Sequence, residues 1–300
     1  MILTLPGQAL AHGLGPEPTG AEAFLQAFVS CAVVTATAAY VAGWWRLVRR
    51  LGREPAAAGP FAPACFLCGQ IVLSIALLSP LATSGGLFTA HMIQHVLLVA
   101  LAPPLLLLGR PELFGPLGLP RAWRVNFFRA RAVRAGLAAL RAAGRPLPAA
   151  VLHGAALWAW HAPALFEAAE RSVWLHALEH FSFFATALLF WHGVVRAKTP
   201  EAALAGAASA LATLVHSGFL AALLVFSPAV LYPDATAGAP LWGLTPLEDQ
   251  QLAGVVMWVP AGLVYLLAGL LLAARVIAPH PAEGTEAPAT RFERQRTPTA

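Results

Sequence analysis

The chain has 300 residues, of which 58% are hydrophobic and only 11% charged, with a formal net charge of +5. A soluble domain carries about 25% charged residues, so the composition excludes an ordinary soluble globule and points to an integral membrane protein. Three cysteines are too few for a disulfide framework.

In chain order, residues 1–21 read as an extracytoplasmic N-terminal segment. Within it, Ala9-x-Ala11 resembles a signal-peptidase site, and cleavage there would make His12 a new N-terminus able to chelate copper(II). The eleven residues before it lack a basic start and make a poor signal peptide. Seven apolar stretches follow, near 22–46, 61–82, 88–108, 147–165, 174–195, 202–230 and 249–275. A spanning helix takes roughly 17–25 residues. The expected fold is therefore all-α: a polytopic bundle of seven transmembrane helices over 22–278, then a disordered cytoplasmic tail, 279–300.

The basic residues set the orientation. Of the 19 Lys and Arg, 18 fall in alternate loops and in the C-terminal tail, and only Arg171 falls on the other side. By the positive-inside rule the N-terminus is outside and the C-terminus cytoplasmic. The positive charge thus reflects topology and not nucleic-acid binding. The longest basic loop, 109–146, contains an Ala- and Arg-rich stretch, 121–141, with Trp123, Phe127 and Phe128 interleaved. It reads either as an amphipathic helix on the cytoplasmic leaflet or as a plain positive-inside loop.

Histidines carry the chemical signal. His91 and His95 open the third stretch, His161 closes the fourth, and His176 and His180 open the fifth. With the expected topology all five lie at the outer membrane face. Two groups are H-x-x-x-H, and positions i and i+4 share one helix face. Each pair can aim two imidazoles at one point, and imidazole suits zinc, copper, iron and nickel. Ionisable residues inside a membrane are costly, which makes them functional candidates. Asp249, at the outer start of the seventh stretch, is a further ligand or supporting carboxylate, or with Glu248 an ordinary helix-start charge. Glu179, Met92 and Met257 are additional ligand candidates, and Cys31 is a soft donor in the outer half of the first stretch. Cys65-x-x-Cys68 reads better as core packing than as a metal pair. His153 and His216 read as helix–helix hydrogen-bond partners, and His192 as interfacial. His161 precedes Ala162-Pro163, so a helix-capping role competes with ligation. Ala102-Pro103-Pro104 and Pro260 mark kinks in the third and seventh helices.

These residues carry a family resemblance. The run from His91 to His95 followed by Ala102 to Pro111, then Trp160-His161-Ala162-Pro163, then His176 to His180 with Phe190-Trp191, then Leu244 to Gly254 leading to Met257-Trp258, resembles the CtaG-type cytochrome c oxidase assembly factors. The motifs span about 88–260 in the expected order. The resemblance implies a multi-pass protein of the bacterial plasma membrane that helps mature a haem–copper oxidase. It implies help in delivering copper to the oxidase; a site at the outer layer would agree, receiving copper from a periplasmic copper chaperone and passing it to an oxidase subunit in the membrane, with no turnover chemistry required. The residues alone also admit a zinc-dependent membrane hydrolase using His91, His95, His176, His180 and Asp249, with Ser84 or Ser172 assisting. They admit a haem protein with paired axial histidines, and a metal transporter, which would need more ionisable residues in the inner half than His153, His192 and His216.

Overall fold

The computed structural model describes residues 20–52, 59–79 and 87–277. The expectations for Ala9-x-Ala11, His12, Arg53, Ser84 and the tail 279–300 lie outside the described residues.

The described residues are helical, with no strand among them. The elements are α1 (Gly20–Leu51), α2 (Ala62–Leu78), α3 (Phe88–Val96), a π turn (Leu97–Leu101), α4 (Ala102–Leu108), α5 (Pro111–Gly118), α6 (Arg121–Arg129) and α7 (Arg131–Ala143). After these come α8 (Pro146–Trp160), α9 (Pro163–Glu170), α10 (Val173–Val195), α11 (Pro200–Val225), a 3-10 turn (Ala239–Trp242) and α12 (Pro246–Ile277). Among the described residues, five helices are long and apolar enough to cross a membrane: α1, the continuous run Phe88–Leu108, α10, α11 and α12. The other two expected spans are the 17-residue α2 and the 15-residue α8. The fourth stretch ends at Trp160, before the expected 165, because Pro163 disfavours a helical Ala162, whose backbone is extended.

Two large packed regions dominate the core of the described residues, beside two smaller ones. In one, α1, α2, α4 and α5 enclose Tyr40, Phe66, Leu106 and Phe114. Tyr40 stacks on Phe66 with ring centroids 3.8 Å apart, and its hydroxyl donates to Gly109 O at 2.7 Å. α1 and α5 approach closely because Gly43 and Gly118 carry no side chain there: a Cβ at Gly43 would overlap Phe114 O, and one at Gly118 would overlap Ala39 O. Small residues are the usual means of close helix packing in lipid. The second region joins α8, α10, α11 and α12 to the π turn around Phe183, Phe190, Trp191 and Tyr265. Large apolar side chains such as Ile71, Val151, Phe181, Val215 and Leu263 point outward. An outward-facing apolar surface suits lipid, where the dry face of each helix has no need of water.

The π turn has a covalent cause. Pro103 and Pro104 have no N–H, so the carbonyl of Val99 receives neither an α-type nor a π-type hydrogen bond from them. Trp191 Nε1 on α10 supplies the missing donor at 2.8 Å. This locks α3 and α4 against α10. The stretch 121–141, read as either an amphipathic helix or a plain loop, is helical in two pieces, α6 and α7, separated at Ala130. His153 bridges helices as expected, with Nδ1 3.2 Å from Thr186 Oγ1 and Nε2 3.1 Å from Tyr265 OH. His216 differs from expectation: its buried Nδ1 has no hydrogen-bond partner.

Candidate metal centre

The first two turns of α3 and of α10 meet. α3 presents His91 and His95 one above the other, and α10 presents His176 and His180 in the same way. The His91 and His95 Nε2 atoms are 2.8 Å apart, and those of His176 and His180 are 3.1 Å apart. Across the helix interface, ring centroids are 5.0 Å apart for His91 and His176, and 5.2 Å apart for His95 and His180. Two imidazoles on opposite sides of one ion reach centroid separations of at most about 6.3 Å, given metal–nitrogen bonds of about 2.0 Å. These spacings put His91, His176 and His180 within reach of a shared ion, with His95 beside them.

Glu179, on the same face of α10, completes the group. One ligand atom each from His91, His176, Glu179 and His180 lie within 4.8 Å of one another. Glu179 is fully buried and neither of its carboxylate oxygens has a hydrogen-bond partner; the closest imidazole nitrogen, His95 Nε2, is 3.6 Å from Oε1. A buried carboxylate without a partner is expensive, and a cation among the imidazoles would satisfy it. The residues present thus fit a metal ion.

Glu170 was not anticipated from the sequence. It closes α9, a helix inside the loop between α8 and α10, and its Oε1 lies 2.9 Å from His91 Nδ1, off the line of an ideal hydrogen bond. Burial alone would raise the Glu170 carboxyl, but the adjoining His91 ring outweighs it and holds the group below its usual range. A carboxylate on the far nitrogen of a ligating histidine fixes its tautomer and raises its basicity. Beyond α9, Tyr232 covers the site: it packs on Phe88 and Phe166, and its hydroxyl donates to His161 O at 2.7 Å. Burial, with the Glu179 carboxylate adding to it, pushes that hydroxyl up to about 12, so it remains a donor.

Asp249 has a different job from the one expected of a ligand. It is fully buried, and both of its carboxylate oxygens are committed to the start of α3. Oδ2 accepts from Phe88 N at 2.8 Å, while Oδ1 accepts from Thr89 N at 2.9 Å and Thr89 Oγ1 at 2.6 Å. The first N–H groups of a helix have no partner within it, and a negative charge there suits the helix dipole. Asp249 therefore caps α3 from another helix and sets the height of His91 and His95. Glu248 caps its own helix, accepting from Thr245 N at 2.7 Å.

His161 stands apart from the four-residue group. It ends α8, and its Nδ1 lies 2.7 Å from Leu157 O, so a capping contact is present. Its ring centroid is 6.2 Å from that of His95. Met92 is fully buried beneath the site, and Met257 is buried on α12. The cysteines are not brought in: Cys31 and Cys68 are exposed and Cys65 is half-buried. Ser172, considered as a hydrolytic helper, caps α10 through Leu175 N at 3.4 Å.

The family profile described as cytochrome c oxidase caa3 assembly factor (Caa3_CtaG) matches residues 38–278. That range contains every histidine and carboxylate of the site. No curated protein and no solved structure matches the chain. With most of its length and its whole histidine layer inside the match, the chain belongs to the cytochrome c oxidase caa3 assembly factor family.

Proposed function

We propose that this protein binds copper at the outer histidine cluster and helps insert it into the oxidase that its family assembles. In this reading α2 and α8 complete seven spans, with the N-terminus outside and the C-terminus in the cytoplasm of a bacterial plasma membrane. The ligands are His91, His95, His176 and His180 with Glu179, while Glu170 orients His91 and Asp249 positions α3. The observation that carries the reading is the buried, unpartnered Glu179 carboxylate among four imidazoles. Such a set suits copper and other borderline metals. A delivery site must also release its cargo. No reaction on an organic substrate is needed. Copper would arrive from a periplasmic carrier and leave sideways to an oxidase subunit in the bilayer. Trp174, Leu178 and Phe181, exposed on α10 beside the histidine pair, offer an apolar face for such a subunit.

Three histidines and a carboxylate also suit zinc, which keeps a zinc hydrolase as the second reading. Metal analysis by mass spectrometry separates the two. Detergent-purified protein is offered copper and zinc in competition under reducing conditions, beside a His91→Ala/His95→Ala variant. Copper held by the wild type and lost from the variant supports delivery to the oxidase. Preferential zinc occupancy with lipid amidase or esterase activity overturns it.

A further inference from the structure

A small cavity lies just below the outer cluster. Its volume is about 20 Å³, and His95, His161, Met92, Met257, Ser217 and Tyr265 line it together with aliphatic side chains. Two imidazole nitrogens among these have no hydrogen-bond partner, His95 Nδ1 and His161 Nε2, and both histidines are only 4% exposed.

The hydrogen-bond pattern fixes what these nitrogens present. Leu157 O can only accept, so His161 Nδ1 carries the proton and Nε2 is a bare lone pair. For His95 the tautomer is set through Glu170 and His91. A carboxylate beside His91 Nδ1 faces an N–H, so His91 Nε2 is the acceptor of its pair. His95 Nε2 then donates to it across 2.8 Å, leaving His95 Nδ1 as a second bare lone pair. The nearby hydroxyl hydrogens are already used. Thr186 Oγ1 donates to Ser182 O, so it accepts from His153 Nδ1, and Tyr265 OH must donate to His153 Nε2. Ser217 Oγ donates to Leu214 O. The cavity is therefore lined by two histidines with bare imidazole nitrogens and by two methionines, and its hydroxyls leave no uncommitted donor.

A buried space that presents only Lewis bases favours a cation, and thioethers select soft ones. The His95 and His161 ring centroids, 6.2 Å apart, are at the spacing that one ion between two imidazoles spans. The volume admits one ion or one water molecule. We propose that His95 Nδ1, His161 Nε2 and the sulfurs of Met92 and Met257 form a second, inner site for one soft monovalent metal ion, copper(I) in this protein. The choice of copper rests on the reading of the outer cluster; the inner site itself does not. His95 serves either site but not both at once: as an inner ligand through Nδ1 it keeps its Nε2 proton, and the outer ion is then held by His91, His176, Glu179 and His180. An ion received as copper(I) moves inward to the sulfur-bearing site, and the outer group is freed for the next.

The test uses the full chain in detergent, with Cys31, Cys65 and Cys68 replaced by serine so that no thiolate contributes sulfur. Copper(I) is loaded anaerobically, counted by mass spectrometry and examined by X-ray absorption. The cysteine-free protein is expected to bind two ions per chain, with sulfur as well as nitrogen neighbours. Met257→Leu, which conserves volume, and His161→Gln should each lose one ion and weaken the sulfur signal. His176→Ala/His180→Ala should instead lose the outer ion and retain sulfur. One ion per chain with no sulfur neighbour, unchanged by Met257→Leu, overturns the inner site and leaves the outer reading standing; a water then fills the cavity. One ion that survives the double histidine variant but disappears with Met257→Leu upholds the inner site and overturns the outer one. No copper in any variant overturns both.

Discussion

Glu179 and Asp249 are both fully buried carboxylates near the same helix ends, and they do opposite things. Every oxygen of Asp249 is hydrogen-bonded, and neither oxygen of Glu179 is. Asp249→Asn replaces one oxygen with an amide that cannot accept from Phe88 N or Thr89 N. A buried donor left unsatisfied costs about 1–3 kcal/mol, so we expect lower thermal stability in detergent and weaker metal binding from the shifted α3. Glu179→Gln keeps the shape and removes the charge. It should cut metal affinity at least about tenfold, on the scale of supporting residues at metal centres, while the metal-free protein melts no lower than wild type. A variant that binds metal normally would remove Glu179 from the ligand set. In sequence the two carboxylates look alike, since both sit at helix starts beside polar neighbours. Only the pairing of α12 with α3 separates a cap from a ligand candidate.

At the scale of elements, two prolines reshape the helix that carries His91 and His95. Pro103 and Pro104 leave the Val99 carbonyl open, and the indole of Trp191 fills it. Trp191→Phe leaves that carbonyl unpaired inside the bundle and should cost about 1–3 kcal/mol, read as an earlier thermal transition. Oxidase maturation should fall in step with stability, because Trp191 touches no ligand. Close packing of α1 on α5 depends on backbone atoms and not on movable side chains. Gly118→Val should therefore detach α1 from α5, detected as faster proteolysis within the N-terminal helix. The kink was legible in sequence from the proline pair, but its partner was not, because Trp191 is 92 residues away from Val99. α9 was missed for a related reason. Eight residues between two membrane helices read as connecting loop, and Glu170 acquires meaning only where α9 folds back to His91.

For the whole molecule, the proposed ligand set would make metal binding a proton-linked equilibrium. Imidazoles bind metal only in their neutral form, so protons compete with the ion and binding releases them. Apparent copper affinity should fall at acidic pH, and more for wild type than for a variant lacking His176 and His180. A pH-independent affinity would argue that sulfur alone holds the ion.

The sequence by itself determined that this is a helical membrane protein, because length and hydropathy leave few alternatives when backbone groups must be satisfied within lipid. It also determined the two histidine pairs, because four-residue spacing puts side chains on one helix face whatever surrounds them. Periodicity is local, and these features are local. Tertiary structure decided which pairs face each other, that Glu179 joins them while Asp249 serves α3, and that His161 turns its free nitrogen to a separate cavity with Met92 and Met257. Each of those depends on how distant helices pack, and the depth at which one helix meets another is set by glycine contacts, a proline-freed carbonyl and a buried cap that no short window of sequence contains.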